Sequence, residues 1–421
     1  MTNIGIVGAG VAGLHLALLL QKHGVNATIY TDKTAEQQES ANLQNTVVHH
    51  HHTRARERTL GVNYWDSPDY GSTCHHHYIG VPEGGPGLSF QGDFKEPSLS
   101  VDYRLYLPRL LRTFEERGGR VLVRGRLTPD TVERISSEHE LMIVATGRNG
   151  LSGMFPLDLA RCPYDRPQRL LCAGLWNGVA FPDPLGVTLS IAPGQGELIA
   201  SQMISFDGPT TALLFEAIPG SEMEPIARLQ YEGCEKQFER AALDIIAKHH
   251  PSIYRRINQK EFGLMRPKDL LQGGVTPCVR RSHILLSTGV FAIAVGDTRV
   301  SVDPMTGQGA NIASYTAWTL GEMILGGAPP GRELCEELER RTAEFILGTS
   351  SWTNIMLTTP PRVIDLFKAM AEDRSIADEV TEYFNYPHLL GAILATPEST
   401  AAYLRERGAS AAGASSGSNR P

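Results

Sequence analysis

The chain contains 421 residues, of which 41% are hydrophobic and 20% are charged, a composition typical of a globular protein with two or three lobes. Its formal net charge of −7 argues against nucleic acid as the main partner, because phosphate contacts require a basic surface. No uninterrupted run of about 18 apolar residues occurs, so we expect no membrane-spanning helix and no membrane partner. A strand pattern starts at once without a signal peptide, and the six cysteines are scattered, so we expect a cytoplasmic protein with reduced thiols.

The first predicted elements are a strand, a glycine-rich turn and a helix. The strand covers Ile4–Val7, and Gly8, Gly10 and Gly13 then fit the pattern G-x-G-x-x-G, with Ala12 inside it. In this pattern the first glycine allows a tight turn, the second lets the backbone approach a pyrophosphate, and the third allows close helix–strand packing. The pyrophosphate lies against free N–H groups at the positive end of the helix. The stretch predicts a dinucleotide-binding βαβ unit, and a purely structural turn is the alternative.

The second strand and the segment after it complete this unit. The first helix is predicted to end at Lys22–Gly24, and the strand to cover Asn26–Tyr30. In dinucleotide-binding units an acidic residue near the end of this strand binds the ribose hydroxyls. Thr31 is nearest the expected position and Asp32 follows it, so we predict Asp32 as the ribose ligand and a polar loop over Asp32–Ser40.

Two runs of histidine, His49–His52 and His75–His77, raise the question of a metal site. We interpret each run as a strand, on which neighbouring side chains point to opposite faces, so that one run cannot close a tetrahedral site. No cysteine partner or helical H-x-x-x-H pair supports a metal. The sequence therefore predicts no metal site, although single neutral imidazoles can hydrogen-bond inside an apolar pocket.

The middle of the chain changes from mixed to antiparallel β patterning. A loop or hairpin over Gly80–Pro97 precedes an amphipathic helix at Val101–Phe114. A strand-like segment at Arg120–Val123 follows, and a buried strand over Leu141–Gly147 then returns the chain to the nucleotide-binding sheet. Between residues 161 and 217, short alternating runs separated by turns predict an antiparallel sheet in a different lobe. The expected strands are Leu170–Trp176, Val187–Ile191, Glu197–Ala200, Met203–Phe206 and Ala212–Ala217, followed by a helix over Glu224–His249.

A second glycine-rich strand–loop–helix lies later in the chain. The strand Val290–Val295 ends in Gly296-Asp297, and an apolar helix extending to Leu325 follows the loop Asp303–Asn311. Asp297 is placed to reach the hydroxyls of a polyol, and the helix start offers N–H groups to an anionic ring edge. A second structural turn is the alternative. The loop residues predicted to contact a cofactor are Pro304, Gly307, Gln308, Gly309 and Asn311.

The C-terminal part is predicted to be helical. Amphipathic patterns cover Arg332–Leu347 and Val363–Phe384 and are typical of a helical cover rather than of a cofactor site. The Ala/Gly/Ser-rich segment Gly408–Pro421 lacks apolar anchors, which predicts disorder.

A single nucleotide-binding unit with an inserted β lobe, rejoined by Gly296-Asp297 and Pro304–Asn311, resembles the FAD-dependent aromatic monooxygenase superfamily. The resemblance implies an α/β fold with a Rossmann-like FAD-binding domain, an inserted antiparallel β-sheet substrate domain and C-terminal helices. It also implies that Arg104 and Asp297 contact FAD and that the Pro304–Asn311 loop lies along the isoalloxazine ring. The expected domains are a discontinuous FAD-binding domain (1–72, 98–160 and 286–330), a substrate domain (73–97 and 161–285), a helical region (331–405) and a disordered tail (406–421).

Further motifs point to a narrower family. They are Tyr30-Thr31-Asp32, Asn45–His49, Val101–Tyr106, Lys248–Ser252, Gly307–Asn311 and Asn385-Tyr386-Pro387. These motifs look like the oxygenase component of styrene monooxygenases, whose relatives include indole monooxygenases on the same fold. The resemblance extends from residue 3 to about residue 390, which is nearly the whole chain.

This resemblance implies a two-component FAD-dependent monooxygenase. A separate NADH-dependent flavin reductase would supply reduced FAD (FADH2), and a flavin C4a-hydroperoxide formed with O2 would epoxidise a styrene-type, apolar aromatic alkene. Two features of the sequence agree with this implication. The strand that begins at Leu141 ends in Ala145-Thr146-Gly147, where single-component hydroxylases have Asp-Gly, and only one complete G-x-G-x-x-G occurs. A homodimer is left open as the assembly.

The same resemblance implies a set of substrate-pocket positions. In this chain they are Asn45, Val47, His49, His75 and Ser98. Asn45 is the residue expected to act in catalysis, by hydrogen-bonding the flavin or the peroxide, and a turn-forming asparagine is the alternative. Ser72 lies in the pocket region and departs from the family, which commonly has tyrosine there, so a large ring is removed.

Other functions remain as alternatives. An indole or sulfide monooxygenase would use the same machinery, a single-component hydroxylase would be reduced directly by NADH, and a flavin-binding redox sensor would perform no oxygenation. Halogenases of the same fold carry W-x-W-x-I-P, which this chain lacks, since its tryptophans are isolated from one another at Trp65, Trp176, Trp318 and Trp352.

Overall fold

The computed structural model describes residues 3–81, 87–148 and 150–408, so nearly all of the tail predicted to be disordered lies outside the described residues. The β-strands, in chain order, are β1 (Asn3–Val7), β2 (Asn26–Thr31), β3 (Ser72–Ile79), β4 (Leu88–Ser98), β5 (Arg120–Val123), β6 (Leu141–Val144), β7 (Leu170–Asn177), β8 (Gly186–Ala192), β9 (Gly196–Ser205), β10 (Gly208–Ala217), β11 (Gly263–Leu264), β12 (Leu270–Gly274), β13 (Cys278–Val279), β14 (His283–Leu285), β15 (Phe291–Ala294) and β16 (Val300–Ser301). The α-helices are α1 (Val11–Lys22), α2 (Ala35–Glu39), α3 (His51–Leu60), α4 (Tyr103–Glu116), α5 (Pro129–Ser136), α6 (Glu235–His249), α7 (Pro251–Tyr254), α8 (Gly309–Leu325), α9 (Arg332–Thr358), α10 (Pro361–Glu372), α11 (Arg374–Glu382), α12 (Pro387–Ile393) and α13 (Pro397–Glu406).

These strands form two large sheets and one short pair. The first sheet has the order β14-β15-β6-β1-β2-β5, and all of its strands are parallel except β14, which pairs antiparallel with β15. The second has the order β11-β7-β10-β9-β8-β3-β4, with β12 beside β7, and only β3 and β8 pair in parallel. The α/β class predicted from the sequence is confirmed.

Helices cover both faces of the parallel sheet, so its central strands β1, β6 and β15 are mostly apolar and buried. Ile4 and Ile6 of β1 point into the core formed with α1, α4 and α8, whereas Val7 points to the opposite face. A Cβ on Gly321 of α8 would lie 2.5 Å from the Leu19 side chain, so this glycine allows α8 to pack closely against α1. The C-terminal halves of α1 and α8 are therefore held side by side.

The second sheet is covered by two groups of helices. Trp176 of β7 and Phe215 of β10 pack against Phe238 of α6 in one apolar core. On β4, a Cβ at Gly92 would lie 2.1 Å from Oγ1 of Thr381, so the missing side chain lets α11 lie directly on the strand. Among the described residues, no helix combines the length and apolarity needed to cross a bilayer.

The polar loop predicted over Asp32–Ser40 is wrong in part, because α2 forms within it. Thr34 Oγ1 accepts a hydrogen bond from the Gln37 N–H at 3.2 Å, and Gln37 Oε1 accepts one from the Thr34 N–H at 2.9 Å. This reciprocal capping box satisfies two N–H groups of a helix too short to show an apolar period.

The first histidine run was expected to be a strand, and this is also wrong. Only His49 makes a β-bridge, to Leu99, and α3 begins at His51. Arg, Ala and Glu, which favour helices, follow the histidines, and Gly61 ends the helix with a left-handed φ of +66°.

Several element boundaries also differ from those expected. Two predicted strands, Glu197–Ala200 and Met203–Phe206, are one continuous strand, β9, because β10 pairs along its whole length. The helix predicted over Glu224–His249 is interrupted at Gly233, whose φ is +80°, so only α6 is α-helical. The last predicted helix is divided at Asp373, whose carboxylate caps the start of α11.

Candidate active site

A deep cleft lies at the carboxyl ends of the parallel strands, the edge at which open α/β sheets bind ligands. Its volume is about 1160 Å³, and its wall includes the residues that follow β1, β2 and β6 and the start of α8. The predicted residues that line it are Gly8, Gly10, Ala12, Asp32, Asn45, Val47, Asp297, Pro304, Gly307, Gln308 and Gly309. The predicted residues outside the lining are Gly13, His49, Ser72, His75, Ser98, Arg104 and Asn311.

The glycine turn forms a cradle open toward the cleft. Gly8 has a φ of +112°, and a Cβ there would lie 2.3 Å from the Ala145 carbonyl oxygen. A Cβ on Gly13 would lie 2.1 Å from the Gly8 carbonyl oxygen, so the turn packs tightly against its own helix. At Gly10 the nearest atom to an added Cβ is 3.8 Å away, and Gly10 caps α1 without a side chain. The N–H groups of the first turn are thus accessible to an anion.

Asp32 and two arginines place charge around this cradle. Asp32 is exposed, and Thr31 beside it is held by hydrogen bonds between its hydroxyl and the Lys33 backbone. Arg126 and Arg148 also line the cleft. Sequence reasoning missed both arginines; the only available signal was the position of Arg148 directly after the Gly147 strand end.

The second glycine-rich loop forms another side of the cleft. Asp297 is half-buried, and burial raises the pKa of its carboxyl above the usual value. Gly307 is left-handed, with a φ of +64°, and ends the turn that begins at Pro304. Gln308 is fully buried: its Nε2 donates to the Phe384 carbonyl at 3.1 Å, whereas its Oε1 has no hydrogen-bond partner among the described residues.

Asn45 also carries a buried oxygen in the cleft. Its Oδ1 is shielded from solvent and finds no hydrogen-bond donor among the described residues. Val47 and Gln44 line the cleft beside it. A buried amide oxygen without a partner costs free energy, and a bound ligand that donates to it would remove that cost.

The second sheet supplies an apolar wall to the same cleft. The side chains from β7, β10, β12 and the following residues are Leu171, Ala173, Leu214, Leu271 and Val275, which also pack into one cluster. The cleft therefore joins a polar cradle for a dinucleotide to a surface suited to an apolar ligand.

Arg104 and Asn311 are occupied by structural contacts outside the cleft. The Arg104 guanidinium donates to Oδ2 of Asp102 at 2.5 Å and to Oδ1 of Asp269 at 2.6 Å. Asn311 Oδ1 accepts from the Thr53 hydroxyl at 2.8 Å, and its Nδ2 donates to the Gly307 carbonyl at 3.0 Å. Asn311 therefore holds α3 against the second glycine-rich loop.

His49 belongs to a buried hydrogen-bond network behind the cleft. Its Nδ1 lies 2.6 Å from Oε1 of Glu57, and its Nε2 lies 2.9 Å from the hydroxyl of Tyr103, which lines the cleft. Tyr106 donates to the same Glu57 oxygen at 2.8 Å and lies 2.7 Å from Nε2 of His15. Burial raises the pKa of Glu57, but the charge of His49 and its hydrogen bond outweigh this effect and leave the pKa below its usual value.

The remaining predicted substrate residues lie on the β3–β4 hairpin. The Ser98 hydroxyl, at the end of β4, donates to the Ser72 carbonyl, at the start of β3, at 3.4 Å. The His75 ring packs edge-on against Phe94 and Phe384, with ring centroids 4.7 and 4.4 Å apart. Burial lowers the pKa of His75 well below its usual value, so the ring is neutral. Within the described ranges, no group of three or more His, Cys, Asp or Glu side chains is arranged to hold a metal ion.

A buried carboxyl pair beneath the second glycine-rich loop was also missed from the sequence. Glu216 of β10 and Asp303 are both fully buried, and their carboxyl groups are within hydrogen-bonding reach of each other. Burial raises the pKa of Glu216 well above its usual value and raises that of Asp303 to about 6. Two facing carboxyls are stable when they share a proton, and Glu216 is the one that retains it.

The cleft fits FAD. The open Gly10 cradle suits a pyrophosphate and Asp32 suits a ribose. The Asn45 and Gln308 oxygens, which have no partner among the described residues, offer acceptors to ring N–H groups of a flavin. The volume of about 1160 Å³ exceeds that of an ordinary small-ligand pocket, roughly 300–1,000 Å³.

Comparison with solved structures gives the class of the protein. The flavin-dependent brominase Bmp2 superposes with a TM-score of 0.69 at 12% identity, covering 96% of this chain and 99% of that chain. The shared fold is that of the flavin-dependent aromatic hydroxylases and halogenases.

Comparison with curated sequences gives the family. Styrene monooxygenase StyA of Pseudomonas fluorescens is 41% identical over 401 residues, which cover 94% of this chain and 96% of that protein. The protein of the same name from another Pseudomonas strain is 40% identical over the same shares. Residues 147–256 match the family described as "Styrene monooxygenase A putative substrate binding domain". The chain belongs to the styrene monooxygenase family, as the motifs in its sequence indicated.

Proposed function

We propose that this chain is the oxygenase of a two-component styrene epoxidase. FAD would arrive reduced from a separate NADH-dependent flavin reductase, O2 would be the co-substrate, and a styrene-type alkene would leave as its epoxide. The observation that carries the proposal is the single cleft in which the glycine cradle, Asn45 and the apolar wall of the second sheet lie together. The relatives, which are named styrene monooxygenases, support styrene as the substrate.

Several residues of the chain would hold the cofactor. The N–H groups after Gly10 would bind the pyrophosphate, with Arg126 and Arg148 available to its negative charge, and Asp32 would bind the ribose. Asp297 would bind hydroxyls of the ribityl chain. Reduced FAD, when bound, supplies the activation of O2 and the transfer of one oxygen atom.

The substrate would be held by burial rather than by charge. The apolar wall offers no ionic partner, and an aromatic alkene gains about 25 cal/mol for each Å² of apolar surface removed from water. Asn45 Oδ1, as the buried acceptor in this region, would orient the cofactor relative to the alkene. Val47 would complete the apolar surface, and the same surfaces would exclude water from the reacting groups.

The reductase is inferred from the number of nucleotide sites. Only one complete G-x-G-x-x-G occurs in the sequence, so the chain has no second motif for NADH. A cradle that receives FAD from another protein has to bind it reversibly, with affinity for the reduced form. This proposal predicts that FAD is lost from the protein on dialysis.

The test combines the protein with a flavin reductase, NADH, FAD and styrene under air, and measures styrene oxide by chromatography. Styrene oxide that requires both the reductase and the oxygenase is expected. Hydrogen peroxide as the sole oxygen product would overturn the proposal. A mixture of styrene and indole in one vessel distinguishes the epoxidase from an indole oxygenase by the product formed faster, and NADH oxidation without reductase would indicate a single-component enzyme.

A further inference from the structure

A second pocket lies between α3, α8, α9 and the segment before α12. Its volume is about 250 Å³, and all the residues that line it differ from those that line the flavin cleft. Two sequence motifs that have no role in the proposed function contribute to its wall. They are the first histidine run, through His50 and His52, and Asn385-Tyr386. A pocket of this size is larger than the roughly 150 Å³ cavity known to hold benzene.

Arg56 of α3 brings a positive charge into this pocket. Its guanidinium donates one hydrogen bond to a protein side chain, the Ser314 hydroxyl at 3.3 Å, and lies 5.6 Å from the centre of the Tyr315 ring. Burial lowers the pKa of Arg56 to about 10, so it stays charged at neutral pH. Among the described residues, none forms an ion pair with Arg56. The charge of Glu322 raises the pKa of Arg56, but this carboxylate accepts its hydrogen bond from the Trp318 indole N–H. Its remaining N–H groups are free for an anion.

The other charged groups around the pocket do not neutralise Arg56. Arg341 is paired with Glu337, with 2.6 Å between Nε and Oε1. Glu344 lies at the exposed rim of the pocket. Its charge favours a higher pKa of His388, but burial has the larger effect and lowers that pKa. Within the described part of the chain, the pocket therefore has one unpaired cation inside and one carboxylate at the rim.

Aromatic and neutral groups form the rest of the wall. The rings of Tyr315 and Phe345 stack with centroids 4.1 Å apart, and Tyr386 stands edge-on to His52 at 4.8 Å. His50 is 3% exposed, and neither of its ring nitrogens has a hydrogen-bond partner among the described residues. Burial lowers its pKa to about 3, so it is an uncharged imidazole with an unused N–H donor.

We propose that this pocket is a second ligand site, which takes a monocyclic aromatic carboxylate. The carboxylate would pair with the planar guanidinium of Arg56, a geometry that permits two parallel hydrogen bonds. The ring would lie among Tyr315, Phe345 and Tyr386, which are large and lose little conformational freedom on binding. The buried His50 N–H would be available to a polar group on the ligand at a position away from the carboxylate.

The test is isothermal titration of the full-length protein, without FAD, with benzoate. We expect saturable one-to-one binding of benzoate and at least about tenfold weaker binding of benzamide, which lacks the charge, and of acetate, which lacks the ring. Arg56→Met is expected to lower the benzoate affinity at least about tenfold, and Arg56→Lys less, because lysine keeps the charge without the planar fork. Arg58→Met, two residues along the same helix and paired with Asp66 at the surface, is the matched control and should leave binding unchanged.

Tyr386→Ala provides a second variant in case Arg56→Met does not fold, since Tyr386 is 39% exposed and contributes only to the pocket wall. It too should weaken benzoate binding. Benzoate affinity unchanged in both variants would overturn the proposal. Displacement of benzoate by FAD would place the ligand in the flavin cleft and would also overturn it. This test is independent of the proposed oxygenase function, because it measures no turnover.

Discussion

Two buried amide oxygens distinguish the flavin cleft at the residue scale. Oδ1 of Asn45 and Oε1 of Gln308 are both removed from solvent and have no donor among the described residues. Leaving such an atom unsatisfied costs about 1–3 kcal/mol, so both positions are expected to acquire a partner when the cleft is filled. The Gln308 amide is fixed by the Phe384 carbonyl, whereas Asn45 lies between Gln44 and Val47 in the sequence, and both of these also line the cleft.

Asn45→Ala is expected to lower the coupling of O2 use to epoxide formation more than it lowers FAD affinity. The loss of one hydrogen bond to the reacting assembly corresponds to about 1–1.5 kcal/mol, or up to about tenfold in epoxide per NADH. Gln44→Ala changes a neighbouring residue that also lines the cleft and is the control. Styrene oxide and hydrogen peroxide are measured together, and an unchanged ratio in Asn45→Ala would show that Asn45 is structural.

Two glycines of the turn are expected to have different roles, Gly10 in FAD affinity and Gly13 in the stability of the fold. Gly10→Ala places a methyl group where the nearest atom is 3.8 Å away, so folding should be unaffected, while FAD affinity falls about tenfold because the cradle is narrowed. Gly13→Ala places a methyl group 2.1 Å from the Gly8 carbonyl oxygen and should lower the melting temperature as well. Thermal unfolding without FAD and FAD titration separate the effects. Equal melting temperatures for the two variants would contradict this assignment.

At the scale of elements, α4 is attached to the second sheet by a buried ionic group. Arg104 in the first turn of α4 contacts Asp102 and Asp269, and the Ser205 hydroxyl at the end of β9 donates to Asp102 at 2.8 Å. All three charged side chains are nearly inaccessible to solvent. Removing the cation would leave two carboxylates in a medium of low dielectric constant.

Arg104→Met is therefore expected to destabilise the fold by about 3–5 kcal/mol. Denaturant unfolding of the protein without FAD measures this loss. Arg109→Met on the same helix removes an exposed arginine, paired with Glu116 at the surface, and should cost less than about 1 kcal/mol. If Arg104→Met keeps its stability but loses FAD affinity, the sequence-based assignment of Arg104 to the cofactor is favoured over a structural role.

The elements that the sequence predicted correctly are those with a strong local pattern. The β1–turn–α1 unit was identified because apolar residues and glycines lie at fixed spacing. Helix α3 was missed because its buried face consists of Thr53, Arg54, Glu57 and Leu60, which show no apolar period. Its stability comes from partners distant in sequence, such as Asn311, that a local pattern does not contain.

At the scale of the whole molecule, the two sheets meet beneath the second glycine-rich loop. Glu216 belongs to the second sheet, and Asp303, which caps the start of that loop through the Met305 N–H, belongs to the segment that rejoins the parallel sheet. The shared proton of this pair is therefore part of the contact between the sheets. The division of the chain into a flavin-binding domain and a substrate domain stays a prediction.

Asp303→Asn is expected to reduce the pH dependence of stability. The pKa of Asp303 is raised in the folded protein, from 3.8 to about 6, so its favourable contribution is complete below pH 3.8 and is lost as the pH rises through 6. The melting temperature of the variant relative to the wild type should therefore increase across this range. A constant difference for Asp303→Asn would contradict the raised pKa of Asp303.

The candidate site was predictable only in its contiguous parts. The glycine turn, Asp297 and the Pro304–Gly309 loop follow from local patterns after buried strands. The network from Tyr103 through His49 to Glu57, the Glu216–Asp303 pair and the arginines at the cleft depend on folding, because their members lie on separate elements. The substrate-pocket positions were predicted from the resemblance to a family, because the spacing of residues along the chain does not identify them.

A single-turnover experiment tests the central claim most directly. FAD reduced photochemically without oxygen is mixed with the protein, and then with aerated buffer containing styrene, with neither reductase nor NADH present. We expect styrene oxide in an amount approaching about one molecule per FADH2, because reduced FAD is the only electron source that the proposed reaction requires. Full reoxidation of FAD with hydrogen peroxide and no styrene oxide would contradict it.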